Sequence, residues 1–138
     1  MRGRVRFGVS LEKGLLEQFD RLARRTGHTN RSKAIADLVR ARLVEKEWSG
    51  TGEVVGVISL LYDHRQRELS KRLTRLQHEH YTRVLSSQHL HLDHDTCLEV
   101  IVARGRPDEI RRLADLMGAN RGVKHARLSM SSTGGKMD

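Results

Sequence analysis

The 138-residue chain contains a single cysteine, Cys97, and a single proline, Pro107. No apolar run approaches the roughly 18 residues needed to cross a membrane, so no membrane association is expected. One cysteine excludes an intrachain disulfide and, with it, the disulfide-stapled secreted scaffolds. The first residues, MRGRVRFGVSLEKG, hold no apolar core of a secretory signal, and a reduced, cytoplasmic setting follows as the expectation. Acid is scarce as well: 26 Lys and Arg stand against 17 Asp and Glu, for a formal net charge of +9. The 37% of hydrophobic residues supplies a core and excludes compositional disorder. The charge is front-loaded. Residues 1–50 hold 12 basic and 6 acidic residues, and Arg2, Arg4 and Arg6 all precede the first acid, Glu12. Such a segment points to a polyanion partner.

Ser49-Gly50-Thr51-Gly52 is the small, flexible run in mid-chain and marks a linker at 49–52. It separates a domain over 1–48 from one over 53–131, followed by a polar, flexible tail at 132–138. From Arg4 to Leu11 the chain alternates, with Val5, Phe7, Val9 and Leu11 on one side and Arg4, Arg6, Gly8 and Ser10 on the other, which predicts a strand. A helix follows through Leu15, Leu16, Phe19, Leu22 and Ala23, and Gly27 ends it. Asn30 caps a second helix with Ala34, Ile35, Leu38, Val39 and Leu43 on its apolar face. A unit of about 48 residues rarely stabilises itself alone, so a dimer is expected.

After the linker the patterns predict a strand over Glu53–Tyr62, a long helix over Arg65–Leu85, a strand over Gln88–Leu92 and a strand over Cys97–Arg104. A helix opening at Pro107 and a strand over Val123–Met130 complete the order. The β-α-β-β-α-β order is the ferredoxin-like split motif. The expected class is therefore α+β, an N-terminal βαα unit joined to a C-terminal βαββαβ unit.

Two constellations carry chemistry. Two copies of the N-terminal strand, paired antiparallel, would form a ribbon that fits the major groove of DNA, presenting Arg4, Arg6 and Ser10 to the bases. The free N–H groups and side chains of Arg31 and Ser32, at the start of the second helix, are suited to phosphate. The second constellation is a histidine cluster beside the cysteine. His89 and His91 project from one face of a strand. On the next strand Leu98, Val100 and Val102 are expected to form the buried face, which places Cys97 and Glu99 on the histidines' face if the hairpin loop, within Asp93–Thr96, is odd in length. Helical phase separates two further histidines. His80 lies about 20° from Leu69, on the core stripe, whereas His78 lies about 180° away and is either solvated or offered to a partner subunit.

These features resemble the nickel-responsive repressor family NikR over essentially the whole chain. The resemblance is carried by Gln77-His78, His89-Leu90-His91 and Cys97-Leu98-Glu99, with support from Asn30-Arg31-Ser32-x-Ala34-Ile35 and Gly122-Val123-Lys124-His125. It implies a ribbon-helix-helix dimer joined to an ACT-like domain that assembles a homotetramer as a dimer of dimers. It further implies a palindromic double-stranded DNA operator and one Ni(II) per chain, in a square-planar site of His89, His91 and Cys97 from one protomer and His78 from a neighbour. Three imidazoles and a thiolate in a plane suit Ni(II) or Cu(II). Gln77, Glu99, Tyr62 and His64 are candidates to orient those ligands from behind.

Two positions depart from the family pattern. Lys33 stands four residues before Asp37, where an acid is common. The resemblance implies that two such acids help hold a second, weaker cation between the domains, and the lysine argues against that site. Gly8 stands where a hydroxyl residue is common and removes one base contact per strand. The expected function is metal-dependent regulation of transcription, as a repressor of nickel-uptake genes. The alternative is a ribbon-helix-helix regulator answering copper, cobalt or a small ligand. An enzyme is not expected, because four protein ligands leave no open metal position and no activated nucleophile is evident.

Overall fold

The computed structural model describes residues 3–137. The chain divides into two compact units, one of residues 3–43 with 134–137 and the other Val44–Thr133. The first contains helix α1 (Lys13–Arg25) and most of helix α2 (Arg31–Trp48). Gly27, at φ 81°, takes the left-handed conformation that ends α1. Asn30 caps α2 as expected, its Oδ1 accepting from the Lys33 backbone N–H at 2.8 Å.

The expected N-terminal strand does not form within one chain. Residues 3–12 carry no regular structure, and Val5 and Phe7 are 86% and 75% exposed. The reason is physical: a strand is defined by its neighbour, and nothing among the described residues of this chain pairs with residues 4–11. Leu15, Leu22, Leu38, Val39 and Leu43 are exposed too, so the alternating and helical apolar faces are present but uncovered.

The second unit is a four-stranded sheet with two helices on one face. Its elements are β1 (Val54–Asp63), α3 (Arg67–Glu79), β2 (Val84–His91), β3 (Thr96–Gly105), α4 (Pro107–Gly118) and β4 (Val123–Ser131). The sheet order is β2-β3-β1-β4, antiparallel throughout. Leu69 and Leu73 of α3 and Ile110, Leu113 and Met117 of α4 pack with Ile58, Leu60, Tyr62 and Ile101 into the core. Trp48, at the end of α2, belongs to this core as well, and its indole N–H donates to the Ser131 carbonyl at 2.8 Å. Gly56 is required beneath it: a Cβ there would stand 3.0 Å from the Trp48 ring and 2.9 Å from Leu128.

Two sequence expectations are corrected. The long helix stops at Glu79 rather than Leu85, because His80 turns its ring back onto the Leu76 carbonyl at 2.8 Å and Val84 is drawn into pairing with Ala103. Strand β2 accordingly starts four residues before Gln88. The buried face of β3 is also the opposite of the expected one. Cys97, Glu99, Ile101 and Ala103 lie under the helices, while Leu98, Val100 and Val102 are half-buried on the uncovered face. Glu99 makes the covered face read as the polar one in the alternation, and the fold buries it because Tyr62, Gln77 and Ser87 donate to its carboxylate.

Candidate metal centre and nucleic-acid interface

The β2–β3 hairpin sets the centre. Its register pairs His91 with Cys97 and His89 with Glu99, and paired residues share a sheet face, so all four project to the helix side. The turn spans Asp93-His94-Asp95, closed by the Leu92 N–H on the Thr96 carbonyl and by Asp93 Oδ1 accepting from the N–H groups of Asp95 and Thr96. This turn has the odd length that co-facial placement requires. Cys97 is buried by Tyr62, its partner on β1, and by the helix side of the sheet, whereas His89 and His91 on the edge strand are exposed.

Cys97 Sγ lies 3.8 Å from His91 Nδ1. That span can be bridged by one ion held about 2.0–2.3 Å from each donor. Burial, and then the nearby Glu99 carboxylate, push the Cys97 thiol above its usual range, so it keeps its proton at neutral pH until a cation displaces it. His89 faces a different partner: its Nε2 is 3.0 Å from the Tyr62 hydroxyl, which donates to Glu99 Oε2 at 3.2 Å. Glu99, only 5% exposed, also accepts from Gln77 Nε2 at 2.9 Å and from Ser87 Oγ at 3.0 Å. Burial first and then the Glu99 charge raise the Tyr62 phenol well above its ordinary value, so it remains a donor. The ring of His64 stands edge-on to His91 at 5.0 Å, and its buried Nδ1 has no hydrogen-bond partner among the described residues. Gln77, Glu99, Tyr62 and His64 are thus all gathered behind the two hairpin histidines.

His78 is exposed near the end of α3, as its helical phase predicts, while its neighbour Gln77 turns inward; His80 is half-buried, but it lies one residue past the helix. Among the described residues of one chain, no three His, Cys, Asp or Glu side chains gather into a metal-holding group. A thiol and two imidazoles on one face nonetheless fit a borderline-soft divalent ion.

In the first unit Arg4, Arg6 and Ser10 are exposed on the unpaired segment. Arg31 makes a two-bond pair with Asp20 of α1, and Ser32 is exposed beside it. The Arg31 guanidinium holds the Asp20 carboxyl below its usual range, and Asp20 in turn raises Arg31. Asp37 accepts from Lys33 Nζ at 2.5 Å and His28 Nε2 at 2.8 Å, with Arg40 Nη1 at 3.4 Å, and is held down at about 2 by Lys33 first and His28 second. Sequence reasoning missed Ser87 and Asp20. Ser87 was accessible through parity, two residues before His89. Asp20 had no signal, since its pairing with Arg31 joins two helices.

Residues 55–131 match the model of the NikR C-terminal nickel-binding domain, and residues 5–46 match the ribbon-helix-helix model of the copG family. The chain belongs to the NikR family. It is 48% identical over 138 residues to a protein of Solibacter usitatus, covering 99% of each chain. It is 50% identical over 131 residues to one from Geobacter sulfurreducens, covering 94% of each. Both are named as nickel-responsive regulators. An uncharacterised protein from Thermotoga maritima of solved structure shares the fold, with a TM-score of 0.52 at 14% identity, covering 57% of this chain and 98% of that one. NikR proteins regulate transcription and are not enzymes, so this is a nickel-responsive regulator of ribbon-helix-helix type that binds DNA and nickel. None of its described helices is long and apolar enough to cross a membrane.

Proposed function

We propose that this NikR protein represses nickel-uptake genes in the cytoplasm when metal-bound, as a homotetramer built from two DNA-binding dimers. The observation that carries the reading is the hairpin register that sets His89 and His91 on the face of Cys97, with Sγ 3.8 Å from His91 Nδ1. His89, His91 and Cys97 of one protomer and His78 of a neighbour hold one Ni(II) per chain. The exposure of His78 and the incomplete donor set within one chain support a ligand shared between protomers.

When bound, nickel supplies a cationic centre that joins side chains of two subunits. The chain's own residues do the rest. Tyr62 and Glu99 orient His89, and Gln77 ties the end of α3 to Glu99 beside His78. Ordering of the tetramer biases the two DNA-binding dimers towards a placement that matches palindromic half-sites. In each dimer two copies of residues 4–11 pair as a ribbon, Arg4, Arg6 and Ser10 meet base edges, and Arg31 and Ser32 meet phosphate. The uncovered apolar side chains of the first unit support that pairing.

Titration of the protein with Ni(II), followed by absorption, tests the reading. A thiolate-to-nickel charge-transfer band should saturate at one metal per chain, and operator binding should disappear on chelation. Saturation without such a band, or DNA binding indifferent to chelator, would refute it.

A further inference from the structure

Arg31 opens α2, and its guanidinium lies on Asp20 of α1 through two parallel bonds: Nε donates to Oδ1 at 3.0 Å and Nη2 to Oδ2 at 2.8 Å. Two bonds in a fork fix the plane of the guanidinium as well as its distance. Of the five N–H donors of arginine, Asp20 engages two, which leaves both Nη1 protons and the second Nη2 proton on the opposite edge. The Arg31 side chain is 60% exposed, so that edge is open to solvent, while Asp20 is 26% exposed. An exposed pair of this kind adds little to the stability of a fold. It does hold a long, rotamer-rich side chain in one geometry at the start of a helix, next to the exposed Ser32.

We infer that Asp20 is a positioning residue for DNA binding, orienting the Arg31 guanidinium so that its open edge meets a backbone phosphate. The inference rests on the proposed role of Arg31 as a phosphate ligand. An arginine already fixed in plane gives up less freedom on binding than one that must be ordered as it meets the DNA. The carboxylate also has an effect of opposite sign, because its negative charge repels phosphate. Field alone makes removal of Asp20 strengthen DNA binding, and positioning makes removal weaken it, so the two are separable by the direction of the change.

The experiment measures binding of nickel-loaded, full-length protein to a mixed-sequence DNA duplex across a salt series, since a phosphate ligand serves all sequences alike. Asp20→Asn should weaken binding about two- to tenfold, the range expected for ordering one long side chain. It should have no further effect in an Arg31→Ala background, where the salt slope is already shallower by about 0.9 for each phosphate that Arg31 no longer neutralises. Asp20→Glu, which keeps the carboxylate, should recover most of the binding. Arg31→Lys keeps the charge but not the fork, and should weaken binding as Asp20→Asn does, with the two changes together no worse than one. That variant leaves Asp20 and the local field in place, so it carries the test even if Asp20→Asn impairs folding. Equal or tighter binding by Asp20→Asn, or the same weakening whether or not Arg31 is present, overturns the inference. An Arg31→Ala protein with unchanged affinity and slope overturns the phosphate role of Arg31 itself, and the inference with it.

Discussion

The two units of this regulator solve the same problem to different degrees. In the second unit, Ile58, Leu60, Leu69, Leu73, Ile101, Ile110, Leu113 and Met117 are fully buried by one chain's own sheet and helices. In the first, Ala23 and Ala34 are the buried apolar side chains among the described residues, and Val5, Phe7, Leu22, Leu38 and Val39 stand more than half exposed. The second unit is complete as a fold and incomplete as a metal centre. The first is incomplete even as a fold. On the proposed function a second copy of the chain finishes both, which links metal occupancy to assembly and assembly to DNA binding.

The largest expected effect breaks the metal half of the comparison. Cys97→Ala leaves imidazoles and no anionic ligand, and should reduce nickel affinity beyond the roughly 10–100-fold loss expected from removing an outer hydrogen-bond partner such as Tyr62 or Glu99. Loss of the charge-transfer band in Cys97→Ala, with the fold retained by circular dichroism, checks it. Because burial raises the Cys97 thiol, protons compete strongly, and nickel affinity of the unmodified protein should rise with pH through and above neutrality and fall on acidification.

The packing half comes next. Ile101→Ala should cost about 2–5 kcal/mol in the second unit, whose core is closed by one chain's own sheet and helices. On the proposed dimer, Phe7→Ala should instead change how melting of the first unit depends on protein concentration. Calorimetry over a range of protein concentrations separates the two, and a concentration-independent first transition would contradict the dimer.

His78 and His80 sharpen the link between subunits of the assembly. His78→Ala should weaken nickel binding and uncouple it from tetramer formation, as read by sedimentation with and without metal. His80→Ala should lower stability through the lost bond to the Leu76 carbonyl and leave metal affinity nearly intact. At the DNA, Arg6→Ala should lower discrimination between operator and random sequence by about 1–3 kcal/mol, measured as a ratio of affinities at fixed salt.

The smallest effect concerns Lys33. Its ammonium sits on Asp37 beside His28 and Arg40, so this carboxylate already has its counter-charge. Replacing potassium by another monovalent cation at fixed ionic strength should leave nickel-dependent DNA affinity nearly unchanged, and Lys33→Glu should introduce a cation requirement. Because the Asp37 pKa is lowered to about 2, any stability it adds is present above the ordinary Asp range and lost as pH falls towards 2. The side chains are exposed, so the change in melting should be slight.

Much of this was legible in residue order. The two helices of the first unit, the βαββαβ succession of the second, the Asn30 cap, the Gly27 stop and the outward phase of His78 follow from local rules of period and capping, which act within a few residues. The co-facial placement of His89, His91 and Cys97 follows from the two-residue strand period once the turn length is odd, as Asp93-His94-Asp95 makes it. Only the tertiary structure decided which face of β3 lies under the helices, because Glu99 marks that face as polar until folding brings Tyr62, Gln77 and Ser87 onto its carboxylate. It also decided where α3 ends, since the pairing of Val84 with Ala103 is a competition between a helix and a distant strand. The hub of Tyr62, Gln77 and Ser87 on Glu99 and the clasp of Asp20 on Arg31 were decided there too. They join residues 11 to 37 positions apart, and no local pattern encodes a partner that only folding brings within 3.2 Å.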